Sequence, residues 1–208
     1  MTIWDYIVWA LTCVFGGIFP ARTALYFLAP AKGRVRWIVP YLVIGAALGM
    51  PTWAGDGNPL YYFPFLLAAF LIGYGGRPAA RLVVGVIFFE WIIAWSMIVD
   101  TRAVLPGSAG YWGAMAWKLA MWAAVWLLMR RVFRDSKQVA LSGRLWALLG
   151  LLALSPLLSE LAFSMWDIRA YTLDGTDALI DAAFYTLLPF VFVSAIALLF
   201  AVVLLSRH

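Results

Sequence analysis

Seven long apolar segments constrain this chain more than any other feature. They lie at about 3–29, 37–54, 59–75, 82–99, 111–129, 145–166 and 179–205, with short polar connections between them. A membrane-crossing helix needs about 20 residues, within a range of roughly 17–25. The segments are continuously apolar and do not alternate with period two, so helices are expected and barrel strands are not. Of the 208 residues, 65% are hydrophobic and 12% are charged. Soluble domains carry roughly 45–50% and about 25%. A water-soluble fold of this size cannot bury so much apolar surface. The expectation is an all-α polytopic membrane bundle, one transmembrane domain over 1–208 in contact with the lipid bilayer and no soluble domain. Disorder, a disulfide scaffold and nucleic-acid binding are excluded as main readings. The one cysteine, Cys13, cannot form an internal disulfide and reads as a small buried hydrophobe.

The formal charge of +5 is distributed by connection. Three connections are basic. The first holds Lys32, Arg34 and Arg36, the second Arg77 and Arg81, and the third Arg130, Arg131, Arg134, Lys137 and Arg144; Arg207 closes the chain. The alternate connections hold only Arg102 and Arg169, and together with the N-terminus they carry Asp5, Asp56, Asp100, Asp167, Asp174, Asp177 and Asp181. Short loops rich in Lys and Arg stay cytoplasmic. The alternation predicts seven spans, the N-terminus outside and the C-terminus cytoplasmic, in a multi-pass protein of a bacterial cytoplasmic membrane. No basic stretch precedes the first span, so no cleaved leader is expected there.

Local punctuation fits this division. Asn58-Pro59 resembles an N-cap followed by proline at the first helical position. Gly75-Gly76-Arg77-Pro78 breaks the chain between the third and fourth spans, and Gly55-Asp56-Gly57 is a tight turn. Pro64, Pro156 and Pro189 fall inside spans, where kinks are common. Six tryptophans (Trp4, Trp53, Trp112, Trp166, Trp37 and Trp146) lie near span ends and fit interfacial belts. Trp91, Trp95, Trp117, Trp122 and Trp126 lie deeper. They read first as lipid-facing packing, with a ligand-facing aromatic wall as the other reading.

Charges inside the apolar segments are the informative residues. Glu90 lies near the middle of the fourth span and Lys118 seven residues into the fifth. Each costs roughly 2.5–3.5 kcal/mol to insert unless paired or hydrated. Counting from the span ends places Glu90 ~15 Å and Lys118 ~10 Å deep. The two spans form an antiparallel hairpin, so a Glu90–Lys118 ion pair is expected, as a fixed structural pair or as a switch. Glu160 is placed to line an outer vestibule or to reach the interface. Arg22 is expected to snorkel to the inner interface.

Catalytic signatures are missing. The one histidine is His208, so the sequence holds no HExxH, no histidine-based triad and no credible zinc site. It holds no GxSxG elbow and no Walker A motif. The last span lacks the lysine that a retinal Schiff base needs. No catalytic residue, metal or cofactor is expected.

Four stretches carry a family resemblance: the opening "MTIWDYIVWAL", the basic turn "KGRVRW", the run "FLIGYGGRPAARLVVGVIFFEWIIAWS" and the end "LPFVFVSAIALLFAVVLLSRH". Together they resemble the sensor region of Agr-type, peptide-pheromone-sensing receptor histidine kinases of the GHKL superfamily. The resemblance is one of pattern over the whole chain, without a signature motif. It implies a quorum-sensing receptor of a two-component system, whose last helix continues into a dimerising coil, and hence a homodimer through that helix. The family's phosphorylated-histidine and ATP-binding boxes are not in this sequence, so the chain is expected to be a sensor fragment or a receptor without its kinase.

The expected ligand is an extracellular small molecule or peptide. Its candidate surface is the last outer connection, where Asp167, Asp174 and Asp177 stand beside Arg169 and Tyr171, with Trp112, Trp166 and Glu160 nearby. The alternative is a solvated loop kept outside by topology alone. That connection feeds the last span, where Pro189 offers a bend for relaying a signal. Two other classes remain open at this point. One is a vitamin-type substrate-binding transport subunit, usually with six spans and both termini inside. The other is a structural subunit of a membrane complex.

Overall fold

The computed structural model describes residues 3–33, 36, 38–50, 58–102, 108–132 and 141–165, with Ser194, Ala197, Leu198 and Ala201 of the last segment. The elements in chain order are α1 (Ile3–Phe15), α2 (Ile18–Ala24), β1 (Ala29–Pro30), α3 (Ile38–Gly49), α4 (Asn58–Gly73), β2 (Tyr74–Gly75), α5 (Pro78–Arg102), α6 (Ser108–Val132) and α7 (Gly143–Met165). Three stretches are long and apolar enough to cross a bilayer: Ile3–Ala24, Pro78–Asp100 and Gly110–Arg131. The chain is therefore a helical protein with the make-up of a membrane protein. The apolar helices Ile38–Gly49, Tyr61–Gly73 and Gly143–Leu158 are shorter.

α5 is the centre of the bundle. Of its apolar stretch 78% is buried within the bundle, against 28% for Ile3–Ala24 and for Gly110–Arg131. It packs most extensively on α7, and also on α4 and α6. Its aromatic residues interdigitate with all sides. Phe88 lies 5.5 Å from Phe70 and 5.6 Å from Trp122, Trp91 lies 4.8 Å from Trp122, and Phe89 lies 4.7 Å from Phe63, ring centre to ring centre. Offset and edge contacts of this kind add about 0.5–1.5 kcal/mol each beyond the area they bury. Leu198 of the last segment belongs to the same core.

This packing corrects the lipid-facing reading of the deep tryptophans. Trp91 and Trp122 are buried, and Trp146, expected in an interfacial belt, is buried as well. Trp117 and Trp4 do face outward. Periodicity places side chains on one helical face, but not which neighbour covers that face. Outward surfaces are apolar instead of polar: Tyr61, Phe65, Leu151 and Leu158 are all largely exposed, as suits a bundle solvated by lipid.

The first apolar segment is not one straight helix. It breaks at Gly16-Gly17 into α1 and α2, because α3 presses against that point. A Cβ at Gly17 would run into the Tyr41 carbonyl, and one at Gly45 into the Cys13 carbonyl. A Cβ at Gly49 would lie 2.5 Å from Cys13 Sγ. Gly45-x-x-x-Gly49 is the small-residue spacing that lets membrane helices approach closely, and α1 and α3 make one of the larger helix contacts.

A short ladder joins the stretch that follows α2 to the stretch that follows α4. β1 pairs antiparallel with β2, Ala29 opposite Gly75 and Pro30 opposite Tyr74. Gly76 has φ of 102°, and Pro78 opens α5 at the position where a missing N–H costs nothing. The Arg81 guanidinium donates to the Leu71 carbonyl and, at 3.4 Å, to that of Tyr74. It thereby satisfies carbonyls left open where α4 ends. The Tyr74 hydroxyl donates to the Ala21 carbonyl at 2.8 Å, fixing α2 to the same corner.

Replacing Gly45 by Leu should separate α1 from α3 at a cost of about 1–3 kcal/mol, the usual range for overpacking. The measurement is unfolding of the purified chain in mixed micelles. Gly113→Ala is the control, since nothing lies within 4 Å of a Cβ there; it should be neutral or slightly stabilising.

Candidate functional site

The N-terminal turn of α1, the C-termini of α3 and α5 and the first half of α6 meet at one end of the bundle. Polar side chains buried there form the candidate site. Asp5 lies in the first turn of α1, where a helix N-terminus favours an anion. It is buried and accepts a hydrogen bond from Trp112 Nε1 at 2.9 Å.

Asp100 is less favourably placed. It sits two residues from the C-terminus of α5, where the helix dipole opposes a negative charge. Lys118 on α6 compensates it, with Nζ 2.7 Å from Asp100 Oδ2. The same ammonium lies 3.4 Å from the carbonyl oxygens of Leu48 and of Met50, at the end of α3. An ammonium has three donors, and here three acceptors meet it. Lys118 is completely buried. Its charge is tolerated there because it neutralises the carboxylate near the end of α5 and caps carbonyls at the end of α3.

Tyr111 lies on the same stretch of α6. Its hydroxyl oxygen is buried and has no hydrogen-bond partner among the described residues, yet it lies within electrostatic range of Cys13, Asp100 and Asp5. With two carboxylates, one ammonium and an unengaged hydroxyl, the cluster can bind or exchange polar groups. Among the described residues no three His, Cys, Asp or Glu side chains gather as a metal site.

The expected Glu90–Lys118 pair is replaced by Asp100–Lys118. The reason is helix length. The fourth span was expected to end at residue 99, with Asp100 in a polar connection; α5 continues to Arg102 and carries Asp100 on the wall facing α6. Glu90 lies ten residues earlier, ~15 Å down the same helix. It is completely buried, and neither carboxyl oxygen has a hydrogen-bond partner among the described residues. The backbone of Leu157, next to Pro156 on α7, lies beside its carboxyl without reaching hydrogen-bond geometry.

The other expected ligand-site residues divide. Trp112 is in the cluster. Glu160 lies on α7, with its side chain outside the described set. Trp166, Asp167, Arg169, Tyr171, Asp174, Asp177 and Pro189 lie outside the described residues. Asp5, Asp100 and Tyr111 were missed as site residues. The available signal was an acid within one turn of an apolar helix end, opposite a buried lysine. No protein-family model, curated protein or solved structure matches the chain.

A double-mutant cycle tests the pair. Asp100→Leu alone should cost about 3–5 kcal/mol by leaving Lys118 charged and unpaired. Adding Lys118→Met should recover a large part of that loss. The cycle of Glu90→Leu with Lys118→Met should be additive within about 0.5 kcal/mol.

Proposed function

We propose that the chain is a multi-pass membrane sensor with seven spans, its N-terminus outside and its C-terminus cytoplasmic, in a bacterial cytoplasmic membrane. It binds an extracellular small molecule or peptide and passes the event through the last helix to a cytoplasmic partner or kinase. The observation that carries this reading is the Asp5–Asp100–Tyr111–Trp112–Lys118 cluster. It gathers the ends of four helices at the side the charge pattern assigns to the exterior, and it includes a buried hydroxyl without a hydrogen-bond partner among the described residues.

The mechanism follows from competition. A cationic or amide group that reaches Asp100 or Asp5 exchanges places with Lys118 or Trp112. Either exchange frees a helix end and changes how α3, α5 and α6 pack. Such a ligand shifts the population between two packings by as much as its affinities for them differ. The acidic connection of Asp167, Asp174 and Asp177 would supply the approach, and the helix containing Pro189 the exit. The resemblance to Agr-type receptors agrees with this assignment and with self-association through the last helix.

Reporters fused to each terminus test the topology. Opposite sides are expected; both termini inside would favour the transport-subunit reading. Grafting the chain onto a heterologous cytoplasmic kinase tests the sensing. At equal membrane abundance, Asp100→Asn should shift basal output about fivefold or more, the low end of typical coupling energies. Unchanged output would remove the cluster from the signal route.

A further inference from the structure

A second site lies at the opposite end of the bundle, away from the cluster just described. A cavity of about 610 Å³ opens between α2, α3 and β1. Ile18, Leu25, Pro30 and Ile38 give it apolar walls, the rings of Tyr41 and Tyr74 line it further, and among the described residues Arg22 is its one charged lining residue. Arg22, Leu25 and Ile38 are also exposed, so the cavity opens at the surface of the bundle. Ligand pockets commonly measure about 300–1,000 Å³ and combine apolar walls with few polar groups.

The charge around it has one sign. Between Asp5 and Asp56 the sequence contains no Asp or Glu, while it contains Arg22, Lys32, Arg34 and Arg36. Lys32 follows the lining residue Pro30 by two positions, and Arg36 precedes the lining residue Ile38 by two; both are exposed. Among the described residues, the Arg22 guanidinium has no ion pair or side-chain hydrogen bond. The contrast with Arg81 is informative. Arg81 also lies near a helix end, and it is occupied by the carbonyls of Leu71 and Tyr74. The Tyr74 hydroxyl is committed to Ala21, so the pocket's cationic donor is Arg22.

We propose that this cavity binds one anionic phospholipid from the bilayer leaflet at the Lys32–Arg36 end. The phosphate oxygens accept from the Arg22 guanidinium, whose planar fork matches phosphate in a bidentate contact. An acyl chain lies along Ile18, Leu25 and Ile38. Lys32 and Arg36 contribute attraction at the rim, worth about 1 kcal/mol each near an anionic surface. A lipid fits better than a soluble phosphate ester because the walls are apolar and the opening faces the exposed apolar side chains Leu25 and Ile38. The lipid would brace α2 against α3 just beyond the Gly16-Gly17 break.

The test is native mass spectrometry of the full chain in detergent, titrated with phosphatidylglycerol or phosphatidylcholine. One phosphatidylglycerol should bind per chain, with phosphatidylcholine about tenfold weaker, because its choline cation beside Arg22, Lys32 and Arg36 offsets the attraction that the shared phosphate gains. Arg22→Ala should abolish the preference, whereas Arg130→Ala, on α6 and outside the cavity, should keep it. Ile18→Trp fills the cavity without changing charge and should lower occupancy with both lipids. It keeps the test decisive if Arg22→Ala fails to fold. Excess glycerol phosphate should not displace the lipid. Displacement by glycerol phosphate would make the ligand a soluble ester and overturn the lipid assignment. Equal binding of the two lipids, or retention by both Arg22→Ala and Ile18→Trp, would overturn the site itself.

Discussion

The Lys118 ammonium is the interaction on which one end of this bundle depends. Two helices would otherwise bring incompatible charge to the same place: the carbonyl-rich C-terminus of α3, and that of α5 with its Asp100 carboxylate. Each repels the other in a medium without water. A single cation with three donors converts that repulsion into a joint. Lys118 belongs to a helix running the other way, so the joint also fixes α6 against the other two. The Asp5–Trp112 hydrogen bond extends it to α1.

The rest of the bundle is held by shape. α5 supplies Phe88, Phe89 and Trp91 to the interior, and its neighbours close over them. Glycines at 17, 45 and 49 let α1, α2 and α3 approach to backbone contact. In a lipid-solvated bundle, burial gives little driving force between helices, so close packing and internal hydrogen bonds must supply it. This explains why the carbonyls at the end of α4 are capped by Arg81 and why Tyr74 reaches across to Ala21.

Helical class was legible in the sequence because each apolar segment is long and unbroken. The helix ends were less so. Hydropathy marks where a segment leaves apolar character, whereas α5 continues through Asp100 to Arg102. That difference decided the partner of Lys118. A choice between Glu90 and Asp100 depends on depth at about 1.5 Å per residue, and a helix end misplaced by three residues changes the answer. Gly16-Gly17 was visible as a pair, but its meaning depends on α3, whose own Gly45 and Gly49 lie far along the chain. Lys118 and Trp122 stand four residues apart and so share a face of α6; the presence of α5 on that face is a tertiary fact. Arg22 was legible as an interfacial arginine, while the cavity it lines is created by β1 pairing with β2.

The Asp100–Lys118 pair also has a consequence for how the chain enters a membrane. Its members stand 18 positions apart, on α5 and α6, across one short connection. Either helix alone would carry an uncompensated charge into hydrocarbon. Entering together as a hairpin, they would arrive already neutralised, with the carbonyls of Leu48 and Met50 at the end of α3, made earlier, as acceptors for the same ammonium. For these two helices, insertion as a hairpin and neutralisation of the buried charge are then one event.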